Sequence, residues 1–164
     1  MLNLEERRIK FEILYEKYSD LLYRIALIKM RNREDAEDAV QDTFIKYLAS
    51  PFDYRSDTEQ RAWLVRVLNN RCSDLLKRRN LRTHTNLDEI SDLQATEDFP
   101  TGVFESVSKL SEKYRTVIVL HYLEGFSVEE IANALTLTKS NVKMRLMRGR
   151  EELVRILGKE NISV

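Results

Sequence analysis

Apolar side chains recur at three- and four-residue steps along much of the chain, which is the period of an amphipathic α-helix. A first helical face comprises Phe11, Leu14, Tyr15, Tyr18, Leu22 and Ile25. A second helix is predicted from the candidate N-cap Asn32 to Ser50, because a residue before proline avoids the helical region. Its apolar stripe is Ala36, Ala39, Val40, Thr43, Phe44, Tyr47 and Leu48. A third helix, with Asp57 as its cap, carries Leu64, Val67, Leu68, Cys72, Leu75 and Leu76.

The C-terminal part of the chain predicts a helix-turn-helix. Ser111 is placed to cap a helix that runs through Leu123, and Gly125 suits the left-handed position that closes it. Ser127 and Glu130 form a capping box at the start of a short helix. After a turn of about three residues, Thr138 is placed to cap a last helix, whose apolar stripe is Val142, Leu146, Gly149, Leu153 and Ile156.

Composition agrees with an all-α fold. The 164 residues are 43% hydrophobic and 33% charged, with only four glycines and two prolines, which argues against a turn-rich β-sandwich or barrel. The single cysteine excludes an internal disulfide, and the two histidines lack metal-ligand spacing, so no metal or cofactor is expected. The longest apolar run, Val117–Leu120, is far too short for a membrane span. These features predict a soluble chain of a reducing, cytoplasmic compartment.

The formal net charge of zero is an average over unlike segments. Residues 1–80 carry 16 basic and 14 acidic side chains, residues 81–108 one and six, and residues 109–164 ten and seven. The acidic segment has no sustained helical stripe and contains Pro100 and Gly102. We therefore predict two small helical domains, 1–80 and 105–164, joined by an acidic, flexible linker at 81–104.

Two helices are strongly basic. Five basic residues and no acid lie between Thr136 and Arg150, and the apolar stripe turns Lys139, Ser140, Lys143, Met144 and Met147 outward. In a helix-turn-helix this surface contacts DNA, although an isolated basic helix is usually only solvated. The third helix carries Arg61, Arg66, Arg71, Lys77, Arg78, Arg79 and Arg82 against one acid, Asp74. Trp63 on this helix, with Phe52 and Tyr54 before it, suits single-stranded nucleic acid, although a core role for Trp63 is equally consistent.

The second helix has the opposite sign. Its acidic residues are Glu34, Asp35, Glu37, Asp38 and Asp42, with Gln41 beside them. Such a run is either a solvated face or a docking surface for a basic protein. Because no nucleophile, general base or metal site accompanies these carboxylates, the sequence predicts neither an enzyme nor a small-molecule substrate.

Four segments resemble the extracytoplasmic-function (ECF) sigma factors of the sigma-70 family. They are DAEDAVQDTF (35–44), WLVRVLNNRCSDLLKRR (63–79), LSEKYRTVIVLHYLEGFSVEEIANAL (110–135) and NVKMRLMRGREEL (141–153). The motifs occur in the family's order and spacing and cover nearly the whole chain. The resemblance implies a bacterial subunit that binds core RNA polymerase and directs promoter-specific transcription initiation.

The resemblance also implies roles for individual residues. Asp38, Gln41 and Asp42 would dock on the beta-prime clamp of core polymerase, and the domain at 105–164 would contact the beta flap. Phe52, Tyr54, Trp63, Arg66, Asn70, Asp74 and Arg78 would melt and read the −10 element, with a flipped base held in a pocket. Thr138, Lys139, Ser140, Asn141, Lys143, Met144, Arg145 and Arg148 would read the −35 element. An anti-sigma factor, often membrane-bound in this family, would hold the chain inactive.

The chain departs from the family pattern at three places. Thr136 stands where glycine is frequent in the turn, and a threonine with a positive φ would cost about 1 kcal/mol. Gly149 stands where alanine is common, so we expect a closer helix crossing there. Ser140-Asn141 replaces the frequent Gly-Thr, so no promoter sequence can be carried over.

Two other functions fit the same features. A stand-alone helix-turn-helix regulator would bind a specific DNA site by itself, usually as a dimer. A sigma-like protein-interaction module would have little need for two basic helices. The neutral total charge predicts weak DNA binding by the free chain, and the acidic residues Asp88, Glu89, Asp92, Glu97 and Asp98 could shield the basic faces.

Overall fold

Helices form nearly all of the computed structural model, which describes residues 2–51, 56–82 and 102–162. The elements are α1 (Leu4–Met30), α2 (Arg33–Ala49), α3 (Asp57–Arg82), α4 (Val103–Ser108), α5 (Glu112–Ile118), α6 (Val128–Leu135) and α7 (Lys139–Ile162). A π-helical turn, Val119–Leu123, follows α5 directly. The all-α prediction is confirmed.

Capping side chains set the starts of the N-terminal helices. Asn3 and Glu6 form a capping box at α1, and the predicted cap Asn32 accepts the Asp35 N–H at 3.0 Å. The predicted cap of α3 is wrong by one residue. Ser56 accepts the Glu59 N–H at 3.1 Å, while Asp57 is already the first helical residue and contributes a favourable negative charge to the first turn.

The first three helices pack around a shared apolar centre that includes Leu22, Leu27, Leu64 and Leu68. Two predicted stripe residues, Tyr15 and Leu48, are exposed instead, at 51% and 40%. The ring of Phe44 fills the space between α1 and α2, with its centroid 5.0 Å from that of Tyr15, and leaves both side chains at the rim.

The C-terminal helices enclose Phe126, Leu120, Ile131, Val142 and Leu146. The predicted helix through Leu123 is interrupted, because α5 gives way at Val119 to the π-helical turn. Ser111 is the N-cap residue, but its hydroxyl lies 3.1 Å from Glu152 Oε1 and makes no capping bond. The short helix α4 was not predicted.

Three expected backbone features of this half are present. Gly125 has a φ of +74° and Thr136 a φ of +56°, so both occupy the left-handed region. At Gly149, α7 crosses α5 so closely that an added Cβ would lie 2.8 Å from Ile118 Cγ1. This crossing requires the missing side chain.

The N-terminal and C-terminal helices pack against each other. Contacts join α1 to α4 and α5, and α3 to α6, so the apolar centre is continuous through both halves. The predicted linker lies mostly outside the described residues, which end at Arg82 and resume at Gly102. Within the described ranges, no helix is both long and apolar enough to cross a membrane.

Candidate nucleic-acid and polymerase interface

The helix-turn-helix is built by local capping. Ser127 accepts the Glu130 N–H at 3.1 Å, and the Glu130 carboxylate accepts the Ser127 N–H at 3.3 Å, so the predicted capping box is confirmed. Thr136 closes α6 in the left-handed conformation, and the Thr138 hydroxyl accepts the Asn141 N–H at 3.0 Å. These contacts fix the direction in which α7 leaves the turn.

The outward surface of α7 carries most of the residues predicted to read the −35 element. Thr138, Lys139, Ser140, Lys143, Met144 and Arg148 are exposed. Asn141 and Arg145 are half-buried, and the Arg145 Nε donates to Asn141 Oδ1 at 3.0 Å. The exposed face of the helix therefore combines cations with two flexible methionine side chains, Met144 and Met147.

The residues predicted to read the −10 element are only partly together. Asn70, Asp74 and Arg78 are exposed along α3, whereas Trp63 is half-buried with its ring centroid 6.1 Å from that of Tyr47. Phe52 and Tyr54 lie outside the described residues. Trp63 thus contributes to the packing of α2 against α3.

Arginines on this side of the molecule bind the C-terminal helices. The Arg66 Nη2 donates to the Asn133 carbonyl at 2.6 Å. The Arg61 guanidinium pairs with Glu130 and lies over the Phe126 ring, 4.0 Å from its centroid. Arg24 forms a two-pronged pair with Glu124, at 2.7 and 2.9 Å. Sequence reasoning missed Arg24, and it grouped Arg61 only with the basic stripe, because neither partner is near in sequence.

The predicted docking residues lie on α2. Asp38 and Gln41 are exposed, but Asp42 is half-buried and accepts the Arg71 Nε at 2.6 Å. Asp42 therefore joins α2 to α3. Sequence reasoning missed the exposed Ile45, which shares this face with Leu48. The signal was available, since positions 38, 41, 45 and 48 repeat the steps of a single helical face.

Buried cations lie where the two halves meet. The Lys29 ammonium donates to Asn69 Oδ1 at 2.5 Å and to Ser73 Oγ at 2.9 Å, and burial lowers its pKa. Burial and the nearby charge of Arg31 lower the pKa of Arg115 to about 10, although Glu112 acts in the opposite direction. Lys29, Asn69 and Ser73 border a cavity of about 470 Å³ between α1, α3 and the C-terminal helices.

The single cysteine and His121 are both engaged inside the fold. Burial raises the pKa of the Cys72 thiol to about 12, so the thiolate nucleophile is suppressed. Across residues 2–51, 56–82 and 102–162, no cluster of three histidine, cysteine or acidic side chains is arranged to hold a metal. His121 uses its Nδ1 locally, 2.7 Å from the Phe126 carbonyl.

Comparison with known proteins identifies the family. The models of Sigma-70 region 2 and of Sigma-70, region 4 match residues 14–82 and 103–153. RNA polymerase sigma factor SigV of Bacillus subtilis is 31% identical over 145 residues, which cover 86% of this chain and 87% of SigV. The chain belongs to the sigma-70 family.

Within the family, the chain is an ECF sigma factor. The ECF RNA polymerase sigma factor SigM of Mycobacterium tuberculosis is 29% identical over 160 residues, covering 96% of this chain and 82% of SigM. A structure of the sigma factor RpoE in complex with the anti-sigma factor NepR, from Bartonella quintana, superposes with a TM-score of 0.75. It shares 22% identity, covers 91% of this chain and 97% of RpoE, and confirms the fold.

Membership in the ECF group settles the class of function. As a sigma factor, this chain directs promoter-specific transcription and acts as an initiation factor, and the family is not one of enzymes. The alternatives of a stand-alone regulator and of a protein-interaction module are not favoured. Below, α1–α3 are called region 2 and α4–α7 region 4.

Proposed function

We propose that region 4 reads the −35 element as duplex DNA through the exposed face of α7. The exposed Lys143 and Arg148 support phosphate contacts, and Ser140 and Met144 supply polar and adaptable apolar contacts near base edges. The observation that carries this proposal is the outward, acid-free surface between Lys139 and Arg150 on a correctly capped recognition helix. Thr138 caps that helix, and Asn141 and Arg145 lie half-buried beside the same surface.

Region 2 is the proposed reader of the −10 element. The exposed side chains of Asn70, Asp74 and Arg78 line one side of α3, and the half-buried Trp63 is the aromatic residue proposed to stack on a base. Phe52 and Tyr54 lie outside the described residues and are included in this proposal on the basis of the sequence. Arg66 belongs to the same surface, where it binds the Asn133 carbonyl.

Docking on the beta-prime clamp of core polymerase is proposed for the exposed face of α2. Asp38 and Gln41 provide polar contacts, and Ile45 and Leu48 extend the face with apolar area. Asp42, on the same helix, joins α2 to α3 through its ion pair with Arg71. For region 4, a contact with the beta flap is proposed, and the strongly exposed Val154 on α7 supports an apolar partner there.

An anti-sigma factor is the proposed regulator. This rests on the family and on RpoE, which was solved with the anti-sigma factor NepR. We also propose a cytoplasmic location, with membrane tethering arising only through such a partner, and domain limits of 1–80 and 105–164. Loss of the anti-sigma partner should then raise the output of the target promoters.

Run-off transcription tests the proposed function. Purified core polymerase with this chain should yield promoter-specific transcripts from a genomic library, and core polymerase alone should not. If the chain instead binds a defined duplex tightly without core polymerase and yields no transcripts, a stand-alone regulator replaces the proposal.

A core pull-down tests the docking face. Asp38→Arg should reduce core association, because it reverses the charge of an exposed side chain. Asp20→Arg, the same reversal on the exposed surface of α1, should leave it unchanged. Equal binding of both variants would contradict the docking assignment. Asp42→Arg is a poorer test, since it would place two cations together at Arg71.

A further inference from the structure

The cavity of about 470 Å³ beside Lys29 has a strongly cationic lining. Its charged lining residues are three cations and one acid: Lys29 of α1, Glu112 and Lys113 of α5, and Arg145 of α7. These helices are far apart in the sequence, so only their packing brings the four side chains to one cavity. The lining therefore carries an excess of positive charge that no single segment of the chain predicts.

Lys29 places a fixed charge on the wall of this cavity. Its side chain is only 6% exposed, and its ammonium donates to two neutral acceptors, Asn69 Oδ1 and Ser73 Oγ. The Glu112 carboxylate lies 3.9 Å from the ammonium, and the Glu112 side chain is 53% exposed. Because a buried cation is costly without close compensation, this arrangement favours an additional anion in the cavity.

Arg115 adds a second buried cation close to Lys29. It is 6% exposed, its Nη1 donates to the Ser108 carbonyl at 3.1 Å, and its buried Nε has no hydrogen-bond partner within the described part of the chain. Besides burial, the charge of Arg115 lowers the pKa of Lys29. The positive field at the cavity therefore exceeds that of its lining residues alone.

A phosphate group suits this lining better than a carboxylate does. A phosphate ester carries about 1.5–2 negative charges at neutral pH and three acceptor oxygens. Cations that approach from three helices can each contact a different oxygen, as arginine and lysine do in other phosphate sites. Thr116, which also lines the cavity, adds a hydroxyl donor.

The cavity is larger than a phosphate group requires. Its volume lies within the range of about 300–1,000 Å³ that is usual for pockets that bind small organic molecules. Leu135 and Leu137, both half-buried, form an apolar part of the lining. The cavity therefore combines cations for a phosphate with apolar area for an organic group.

We propose that this cavity binds a small phosphorylated organic molecule. Lys29, Lys113 and Arg145 hold its phosphate, and Leu135 and Leu137 contact its organic part. The site requires neither promoter DNA nor core polymerase, so it is independent of the promoter-reading function proposed above.

Calorimetric titration of the full chain tests the site with two probes, adenosine diphosphate and inorganic pyrophosphate, at constant ionic strength and without divalent cations. Both share the diphosphate group, so both should bind with a stoichiometry of one. Lys113→Gln should weaken this binding by about fivefold, the upper range for an exposed charge pair. Glu112→Gln should tighten it by a similar factor, because it removes the acid from the lining.

The exposed Glu105–Lys109 pair of α4 and its C-terminus provides matched controls. Its charged atoms are 3.8 Å apart, and neither residue lines the cavity. Lys109→Gln and Glu105→Gln make the same two charge changes and should each alter the affinity by less than about twofold, because solvent and salt screen exposed charges. If Glu112→Gln does not fold, Lys113→Gln and Arg145→Gln still decide the outcome.

Thermal unfolding gives a second readout. A ligand that binds only the folded chain stabilises it, so saturating adenosine diphosphate should raise the Tm of the parent by several degrees. Lys113→Gln should reduce this increase, and Lys109→Gln should not.

Two results would overturn the site. Failure of both probes to bind at millimolar concentration would show that the cavity does not take a phosphate. Equal losses of affinity in Lys109→Gln and Lys113→Gln would show that the probes bind across the basic surface. Tighter binding of adenosine diphosphate than of pyrophosphate would support the apolar contact with Leu135 and Leu137, and weaker binding would refute that contact.

Discussion

The two basic helices proposed to bind DNA differ in how their cations are engaged. On α3, Arg61, Arg66, Arg71 and Arg79 each bind an acid or a carbonyl of another helix. On α7, Lys143 and Arg148 are exposed and form no ion pair within the described part of the chain. Both helices bury an apolar face, but the arginines of α3 are engaged by neighbouring helices whereas Lys143 and Arg148 of α7 point to solvent. The two helices are similarly basic, but the arginines of α3 are bound within the protein and the cations of α7 are exposed to solvent.

The packing of α7 rests on its close crossing with α5. Gly149→Val should lower the free energy of unfolding by about 1–3 kcal/mol, because the added atoms would overlap Ile118 and Tyr114. Urea denaturation of the full chain measures this change.

Gly158 provides the matched control, since no atom lies within 4 Å of a Cβ added there. Gly158→Ala should leave stability unchanged or raise it by up to about 1 kcal/mol through helix propensity. Equal stability of the Gly149→Val variant and the parent would refute the requirement for a missing side chain at this crossing.

The exposed cations of α7 should determine the salt dependence of duplex binding. Replacing both Lys143 and Arg148 by alanine should weaken binding to a promoter duplex found by run-off transcription by about tenfold, and should reduce the slope of log K against log salt by about 2. Titrations at several salt concentrations measure both quantities.

Arg71→Ala removes a cation from α3 and serves as the control. Because Asp42 already neutralises Arg71, this variant should leave the salt slope for the −35 duplex unchanged. A slope reduced equally by both sets of substitutions would erase the proposed difference between the helices.

The contrast also explains what could be predicted from the sequence. Helix periods and caps are local, so the helix-turn-helix and its capping box followed from neighbouring residues. The left-handed position of Thr136 was indicated only by the family resemblance, and the threonine adopts that conformation. The cap of α3 was misplaced because Ser56 and Asp57 are both good capping residues. The engagement of Arg66 could not be predicted, since Asn133 is 67 positions away and its backbone carbonyl carries no sequence signal.

Two acidic residues of α2 have different expected roles, since Asp42 stabilises the fold and Asp38 is proposed to dock on polymerase. Asp42→Asn should lower the free energy of unfolding by about 0.5–1 kcal/mol, because it breaks a partly exposed pair with Arg71. Asp38→Asn, on the exposed side of the same helix, should change stability by no more than a few tenths of a kcal/mol while still reducing core association. Urea denaturation and a core pull-down provide the two readouts. The reverse pattern would mean that Asp42, and not Asp38, faces the polymerase.

The smallest expected effect is a loss of stability in acid that arises from the contact between Arg61 of α3 and Glu130 of α6. Burial alone would raise the pKa of Glu130, but hydrogen bonds from Arg61 and Ser127 outweigh it and hold the pKa below its ordinary value of 4.5. A carboxyl with a lowered pKa stabilises the folded state above its ordinary pKa, and this contribution is lost as the pH falls through the lowered value. The free energy of unfolding of the parent chain, measured by urea denaturation, should therefore decline below pH 4.5. Glu130→Gln should start lower and show a shallower decline, whereas identical pH profiles would mean that Glu130 does not help to hold α6 against α3.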